Sequence, residues 1–411
     1  MLSSSSLMTC RLLRCMSIGA LTFTANTGVN AFTVHNNRAF HSTRFSTSPS
    51  SLNGVISGLT SSGDISSSSV APAIDKISTL TLLEHINLNV PNHDYILDFY
   101  IHVLGMGLDP RRAANVNQGS GTVWANCGAS QFHLPYGEEA QVIPGSIGLW
   151  YDDLQQLKGR LASYDDKDEK PFVQYSTEDN NGRETVRIMD HYGNIFYCRK
   201  GNEPIVFPDP NDPSQTHDEV MRSVTQPILT NDPSDIEEYS SAAEKYGIPQ
   251  GQPTECRGIS YVEFLVPQNR VSRIAEFYDC VFDATTTVFT DPATEEEVAI
   301  VAFGSIDETG RSSQCLIFRE TTMELPAYDG HHISLYVGDS KDDFEQAFKN
   351  AEEAQVLWVN PRFSDKVTNI NTAKKWKQFR FKNLIDMRVG FPIHELEHEV
   401  RSVEHDSWPG R

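Results

Sequence analysis

The segment Leu83 to Leu108, LEHINLNVPNHDYILDFYIHVLGMGL, constrains the fold of this chain more than any other. Leu83 to Val90 alternates apolar and polar residues, as a half-buried strand does, carries His85 near its start and is stopped by Pro91. Apolar residues then recur at Ile96, Phe99, Tyr100, Val103 and Leu104, the spacing of one helical face, and Gly105 reads as the helix stop. The pattern predicts a strand, a helix, a strand near Leu108 to Ala114, and a hairpin of Thr122 to Cys127 and Ser130 to Leu134 turning at Gly128.

The same unit recurs. A second begins at Gly145-Ser-Ile-Gly-Leu-Trp-Tyr151, with a helix carrying Leu154, Leu157 and Leu161. Its strands fall near Phe172 to Tyr175, Glu184 to Met189 and Asn194 to Cys198. A third opens at Ile259 to Pro267; its helix uses Ile274, Phe277, Tyr278, Val281 and Phe282, so Phe277-Tyr278 echoes Phe99-Tyr100. Its strands are Val288 to Thr290, Val298 to Phe303 and Gln314 to Phe318. The fourth starts at Gly330-His-His-Ile-Ser-Leu-Tyr-Val337, has a helix with Phe344, Ala347 and Phe348, and closes near Ile393 to Val400.

A histidine-bearing strand followed by a helix ending Phe-Tyr-x-x-x-Leu-Gly resembles the opening of vicinal oxygen chelate modules, the glyoxalase, bleomycin-resistance and extradiol-dioxygenase-like proteins. The Asp190-His-Tyr-Gly-Asn194 turn is similar to the Asp-Pro-x-Gly-Asn turn before the last strand of such modules. The resemblance covers about 80–200 and 257–405. It implies an α+β chain of four βαβββ modules in two glyoxalase-like domains: 80–201 with modules one and two, and 256–405 with modules three and four. Residues 202–255, rich in Pro, Asp and Ser with a weak helical pattern near Asp235 to Tyr246, read as the inter-domain linker.

Residues 1–75 read as a targeting presequence and linker. The first 63 residues contain Arg11, Arg14, Arg38 and Arg44 but no acid. Arg11 and Arg14 precede an apolar stretch, Cys15 to Ala25, that leads to Ala31-Phe32; a Ser- and Thr-rich basic segment follows. That order resembles the bipartite plastid presequence of algae with complex plastids; a mitochondrial presequence is the alternative, and a disordered tail the bland reading. Without those residues 30 basic groups face 55 acidic ones, a balance of −25 that argues against a nucleic-acid partner. No apolar run of the mature chain is long enough to span a membrane. Five cysteines remain, widely spaced and without C-x-x-C, so neither a disulfide framework nor a zinc knuckle is indicated. The oligomeric state is not legible.

In the family each module can give one metal ligand from its first strand and one from its last. Carried over, unit one supplies His85 and His133, and unit four supplies His332 and, from Glu395-Leu-Glu397, Glu395 or Glu397. Units two and three offer Ser146, Tyr197, Tyr261 and approximately Leu316, none a good ligand. Facing unit one with unit four, and two with three, would gather His85, His133, His332 and Glu395 around one divalent transition metal (Fe, Zn, Ni or Mn), with Glu395 or Glu397 as catalytic group. Sequential pairing would leave two half-sites. A strand histidine is by itself more often a hydrogen-bonded core residue than a ligand, and Glu395, Glu397 and Glu399 alternating along one strand also read as a solvated edge.

His394-Glu-Leu-Glu-His398 matches the H-E-x-x-H zinc motif, which needs a helix to bring its histidines together. On a strand those histidines point away from Glu395. No P-loop, dinucleotide fingerprint or Gly-x-Ser-x-Gly elbow occurs. The resemblance therefore implies a metal-dependent glyoxalase-like lyase or ring-cleaving dioxygenase acting on a small molecule with adjacent oxygens. The alternative is a non-catalytic binding or assembly protein with a degenerate site.

Overall fold

The computed structural model describes residues 79–165, 173–180, 183–201, 233–246, 254–291, 294–304 and 314–408. The presequence and most of 202–255 lie outside the described residues. Unit one contains β1 (Leu80–Asn87), helix α1 (His93–Tyr95) continuing into a wider turn (Ile96–Val103), and β2 (Gly107–Leu108). A 3-10 turn (Pro110–Arg112), α2 (Ala113–Gln118), β3 (Thr122–Cys127) and β4 (Ser130–Pro135) complete it. The wide turn uses i→i+5 geometry, with the Leu104 amide donating to the Phe99 carbonyl at 2.8 Å. The strand expected over Leu108 to Ala114 is only Gly107–Leu108; Pro110 lacks a ladder donor and the chain turns into α2 instead. The β3–β4 hairpin turns where expected, with Gly128 at φ 59°.

Unit two gives β5 (Gly145–Tyr151), α3 (Gln155–Asp165), β6 (Gln174–Asn180), β7 (Arg183–Met189) and β8 (Ile195–Lys200). The stretch expected as linker contains α4 (Pro233–Tyr246), which docks on unit one through Asn117 Nδ2 donating to Glu238 Oε2 at 2.7 Å. Unit three gives β9 (Cys256–Pro267), α5 (Val271–Phe282), β10 (Thr286–Thr290), β11 (Glu297–Phe303) and β12 (Gln314–Thr321). Unit four gives β13 (His332–Val337), α6 (Lys341–Glu353), α7 (Ile370–Trp376), β14 (Gln378–Ile385) and β15 (Pro392–Ser402).

The strands form two sheets that cut across the sequential order. One runs β14-β15-β13-β1-β4-β3-β2 and joins units one and four; the other runs β10-β11-β12-β9-β5-β8-β7-β6 and joins units two and three. Each has an antiparallel central pair, β1 with β13 or β5 with β9. Parallel neighbours flank each pair: β4 and β15 in the first sheet, β12 and β8 in the second. The sheets therefore do not divide the chain into 80–201 and 256–405.

The repeated Phe-Tyr pairs explain how the sheets stay together. On the wide turn of unit one, Phe99 meets Phe196 of β8 at 5.7 Å, while Tyr100 meets Phe132 of β4 at 5.3 Å. On α5, Phe277 meets Phe381 of β14 at 5.7 Å, and Tyr278 meets Phe318 of β12 at 5.7 Å. Each helix wedges one ring against each sheet, and one continuous apolar core results. Helices cover that face of both sheets. Residues alternating the other way, among them His85, Asn87, His332 and Ser334, are turned from this core.

Candidate metal centre

The β1–β13 seam builds the site. Across it His85 lies opposite Ser334, and Asn87 opposite His332. On the far side β15 runs parallel to β13, placing Glu397 beside His332, Glu399 beside Ser334 and Arg401 beside Tyr336. His85, His332 and Glu399 each bring one ligand atom to within 4.8 Å of the others, and all three are buried. They come from units one and four, which the β1–β13 pairing joins.

A register irregularity between Leu83 and His85 lets two consecutive residues serve the same cluster. Glu84 Oε2 lies 2.7 Å from His85 Nδ1. Burial pushes the Glu84 carboxyl up, but Arg401, then His85, outweigh it and hold it at about 2. An ionised carboxylate only accepts, so His85 Nδ1 donates, and in the neutral ring the lone pair sits on Nε2. That Nε2 is buried and has no hydrogen-bond partner. Burial and the neighbouring Arg380 hold the His332 imidazole well below its ordinary range, so it stays neutral. Glu399 behaves in the opposite way: burial raises it, but Arg380 and Arg401 lower it further, and it is ionised.

Two guanidiniums run through this cluster. Arg401 Nη1 donates to both Glu84 oxygens at 2.7 and 2.6 Å, and its Nε donates to Glu399 Oε1 at 2.6 Å. Arg380 donates to Glu399 Oε2, to Glu397 Oε1 at 2.9 Å and to Asp365 Oδ2 at 2.8 Å. Four carboxylates (Glu84, Asp365, Glu397 and Glu399) against two guanidiniums leave 2 − 4 = −2 when all are ionised. Burial raises Glu397 despite Arg380 and Asn360, so it is the member closest to taking up a proton.

His133 is close but plays another part. It stacks on His85 at 3.7 Å and on Trp124 at 4.5 Å, with Arg112 over Trp124 at 4.3 Å. Its Nε2 pairs with Gln131 Oε1 at 3.0 Å, and it is not among the three converging residues. Glu395, expected as the carboxylate ligand, is 44% exposed at its side chain and ion-paired with Lys382 at 2.5 Å. Glu397 is clasped by Asn360 and Arg380. The converging carboxylate is Glu399, further along the same strand. Sequence reasoning passed over it as part of a solvated edge; its signal was the alternation itself, which continues from 395 through 399.

The H-E-x-x-H residues lie on β15, not on a helix. His398 faces the core, 2.5 Å from the Tyr278 hydroxyl and stacked on Phe381 at 4.2 Å. In the second sheet Ser146 donates to Glu263 at 2.8 Å, and Tyr197 and Tyr261 pack with Val298 and Ile317. Leu316 points into the main core. Gly148 is required there, because a Cβ would come within 2.2 Å of the Tyr261 ring.

The residues present fit a divalent transition metal. Two imidazoles and one ionised carboxylate form the two-histidine, one-carboxylate donor set of transition-metal sites. The buried Nε2 of His85 has no hydrogen-bond partner, as a ligand nitrogen requires, and Glu84, accepting from Nδ1, turns that nitrogen toward His332 and Glu399. A carboxylate has about four lone-pair positions, so the arginine contacts leave Glu399 able to accept one more partner.

The sequence matches no family model and no curated protein. The chain is similar in structure to a provisionally assigned dioxygenase from Bacillus subtilis, at 14% identity over 80% of this chain and 87% of that one, with a TM-score of 0.46. It is also similar to glyoxalase I from Zea mays, at 12% identity over 78% and 92%, TM-score 0.46. A third likeness is to 2,2',3-trihydroxybiphenyl 1,2-dioxygenase from Sphingomonas wittichii, at 12% identity over 79% and 90%, TM-score 0.26. Four strand–helix units paired into two sheets give the chain an α+β architecture of repeated modules.

Proposed function

We propose that the chain is a metal-dependent enzyme of the vicinal oxygen chelate type, a lyase or ring-cleaving dioxygenase, with one working centre between units one and four. The observation that carries this reading is the convergence of His85, His332 and Glu399 within 4.8 Å. A divalent ion held there would serve as a Lewis acid toward two neighbouring substrate oxygens. The chain's own residues set the surroundings. Glu84 keeps His85 in one tautomer, and Arg401 ties Glu84 to Glu399, so the strands of His85 and Glu399 are linked directly across the site. Phe363, edge-on to His332 at 5.6 Å and under Arg380 at 4.2 Å, covers His332 and Arg380. Burial raises the Glu397 carboxyl above its ordinary range, so among the carboxylates beside the centre it is the one most ready to take up a proton.

The second reading is a binding protein with the fold but no metal. The observation favouring it is that arginines already engage both oxygens of Glu399. Elemental analysis of the purified chain separates the two. About one equivalent of metal, lost in His85→Ala and in His332→Ala, supports the enzyme; a metal-free chain that stays so on incubation with Fe(II), Zn(II), Ni(II) and Mn(II) supports the binding protein. We also propose delivery to a plastid by residues 1–75, tested by fusing them to a fluorescent protein; mitochondrial signal would replace that proposal.

A further inference from the structure

The second sheet repeats the geometry of the first with different chemistry. Its β5–β9 seam sets Ser146 opposite Glu263 and Gly148 opposite Tyr261, with an irregularity between Ile259 and Tyr261 like the one before His85. Alongside, β12 places Ile317 beside Glu263. Tyr197, Tyr261, Val298 and Ile317 form an apolar cluster of their own, separate from the main core. Half-buried Ile195, Phe289 and Ile300 pack against it, and Phe289 lies on the edge strand β10.

Two buried donors on this face have no hydrogen-bond partner among the described residues, the Tyr261 hydroxyl and Arg319 Nη2. Neither residue is more than 4% exposed. Folded interiors leave few such groups unpaired. Arg319 spends its other nitrogens, Nε on Glu263 Oε1 at 2.9 Å and Nη1 on Asp291 Oδ2 at 2.8 Å. Arg199, Glu263 and Ser146 all act on the Tyr261 hydroxyl. Ser146 donates its proton to Glu263 at 2.8 Å, and neither of them meets Tyr261 in hydrogen-bond geometry.

The chemistry of the cluster restricts an occupant. Both orphan atoms donate, so the occupant must supply an acceptor. Arg319 and Arg199 against Glu263 and Asp291 leave 2 − 2 = 0 when all are ionised, and Glu296, 3.5 Å from Arg319 Nη1, adds a negative charge. With no spare cation, an anion is disfavoured.

We propose that this face of the second sheet is a metal-independent binding site for a small, uncharged, largely apolar molecule with a carbonyl oxygen. That oxygen has two lone pairs, one for Tyr261 and one for Arg319 Nη2. The apolar remainder packs against Ile195, Phe289 and Ile300. None of these residues belongs to the His85, His332 and Glu399 centre.

The test is calorimetric titration of the full chain with acetophenone, ethylbenzene and benzoate. Acetophenone is expected to bind at least about tenfold tighter than ethylbenzene, which keeps the ring but has no oxygen, and tighter than benzoate. Metal-loaded and metal-stripped protein should show the same preference. Tyr261→Phe, which deletes one oxygen and keeps the ring, should remove most of the preference over ethylbenzene. Arg319→Lys should do the same, since an ammonium keeps the charge but not the fork. If Arg319→Lys fails to fold, Tyr261→Phe decides alone. No binding of acetophenone, or a preference that survives Tyr261→Phe, overturns the proposal; the donors then serve a buried water. Tighter binding of benzoate overturns the uncharged class, and a preference that vanishes on metal removal moves the ligand to the other sheet and overturns the site.

Discussion

Replacing Arg401 by Met removes the cation that joins the two ends of the site. Its guanidinium is less than a tenth exposed and holds Glu84 at 2.6 and 2.7 Å and Glu399 at 2.6 Å. Removal leaves two carboxylates buried without it, Glu84 against the His85 ring and Glu399 against Arg380 and, at 4.0 Å, His332. Breaking a buried charge pair by deleting one partner costs about 3–5 kcal/mol, because the remaining charge is uncompensated. Urea unfolding of the metal-stripped protein should show a loss in that range for Arg401→Met. Arg401→Lys should lose less, since an ammonium keeps the charge but cannot fork between both carboxylates. A divalent ion should recover part of it: ligand at a hundred times its Kd stabilises by about 2.7 kcal/mol. Lys382→Met is the control, because its pair with Glu395 is solvent-exposed and worth about 1 kcal/mol or less. A loss below about 1 kcal/mol for Arg401→Met, or no difference from the Lys382 control, would refute the view that this arginine sets the site.

Other outcomes follow from the same geometry. Glu399→Gln should abolish stoichiometric metal binding in equilibrium dialysis, whereas Glu395→Gln should leave it intact; the reverse result would restore Glu395 as ligand. His133→Ala should retain the metal but lose about 1–3 kcal/mol in thermal unfolding, since it gives up stacking on both Trp124 and His85; loss of metal would make His133 a ligand. Burial, with His331 and Arg270 nearby, holds His394 down to about 4. Between about 6.5 and 4 the unfolded chain binds a proton that folded His394 refuses, so stability falls as pH drops through that window, by up to about 3 kcal/mol. His394→Gln should flatten the decline, and an unchanged pH profile would count against it. Among the described cysteines only Cys280 is exposed, and burial pushes the Cys315 thiol up to about 12. Cys280→Ser should therefore remove the fast phase of iodoacetamide labelling in protein lacking residues 1–75; rapid labelling of Cys315 instead would contradict that burial.

Local pattern carried much of the fold. The strand of His85, the helix face through Phe99 and Tyr100 and its echo at Phe277 and Tyr278 were legible because side-chain periodicity is a property of neighbouring residues. The stretch after Leu108 was not, because apolar content alone does not separate a strand from a 3-10 turn leading into α2. Glu395, Glu397 and Glu399 share a strand face, so alternation admits all three, and only depth in the sheet distinguishes them. Glu395 lies near the exposed end of β15, beside Lys382, while Glu399 lies under Arg380 and Arg401. Neither arginine drew notice in the sequence, since an isolated arginine on a strand carries no local signal.

The sequence by itself therefore determined four repeated units, the face each strand presents and the histidines available for a site. Which unit meets which, which carboxylate reaches those histidines and which cations balance it were decided by the tertiary structure. The physical reason is separation. Glu84 and Arg401 are 317 positions apart, and no local periodicity encodes a contact made only when β1 and β13 pair across the whole chain.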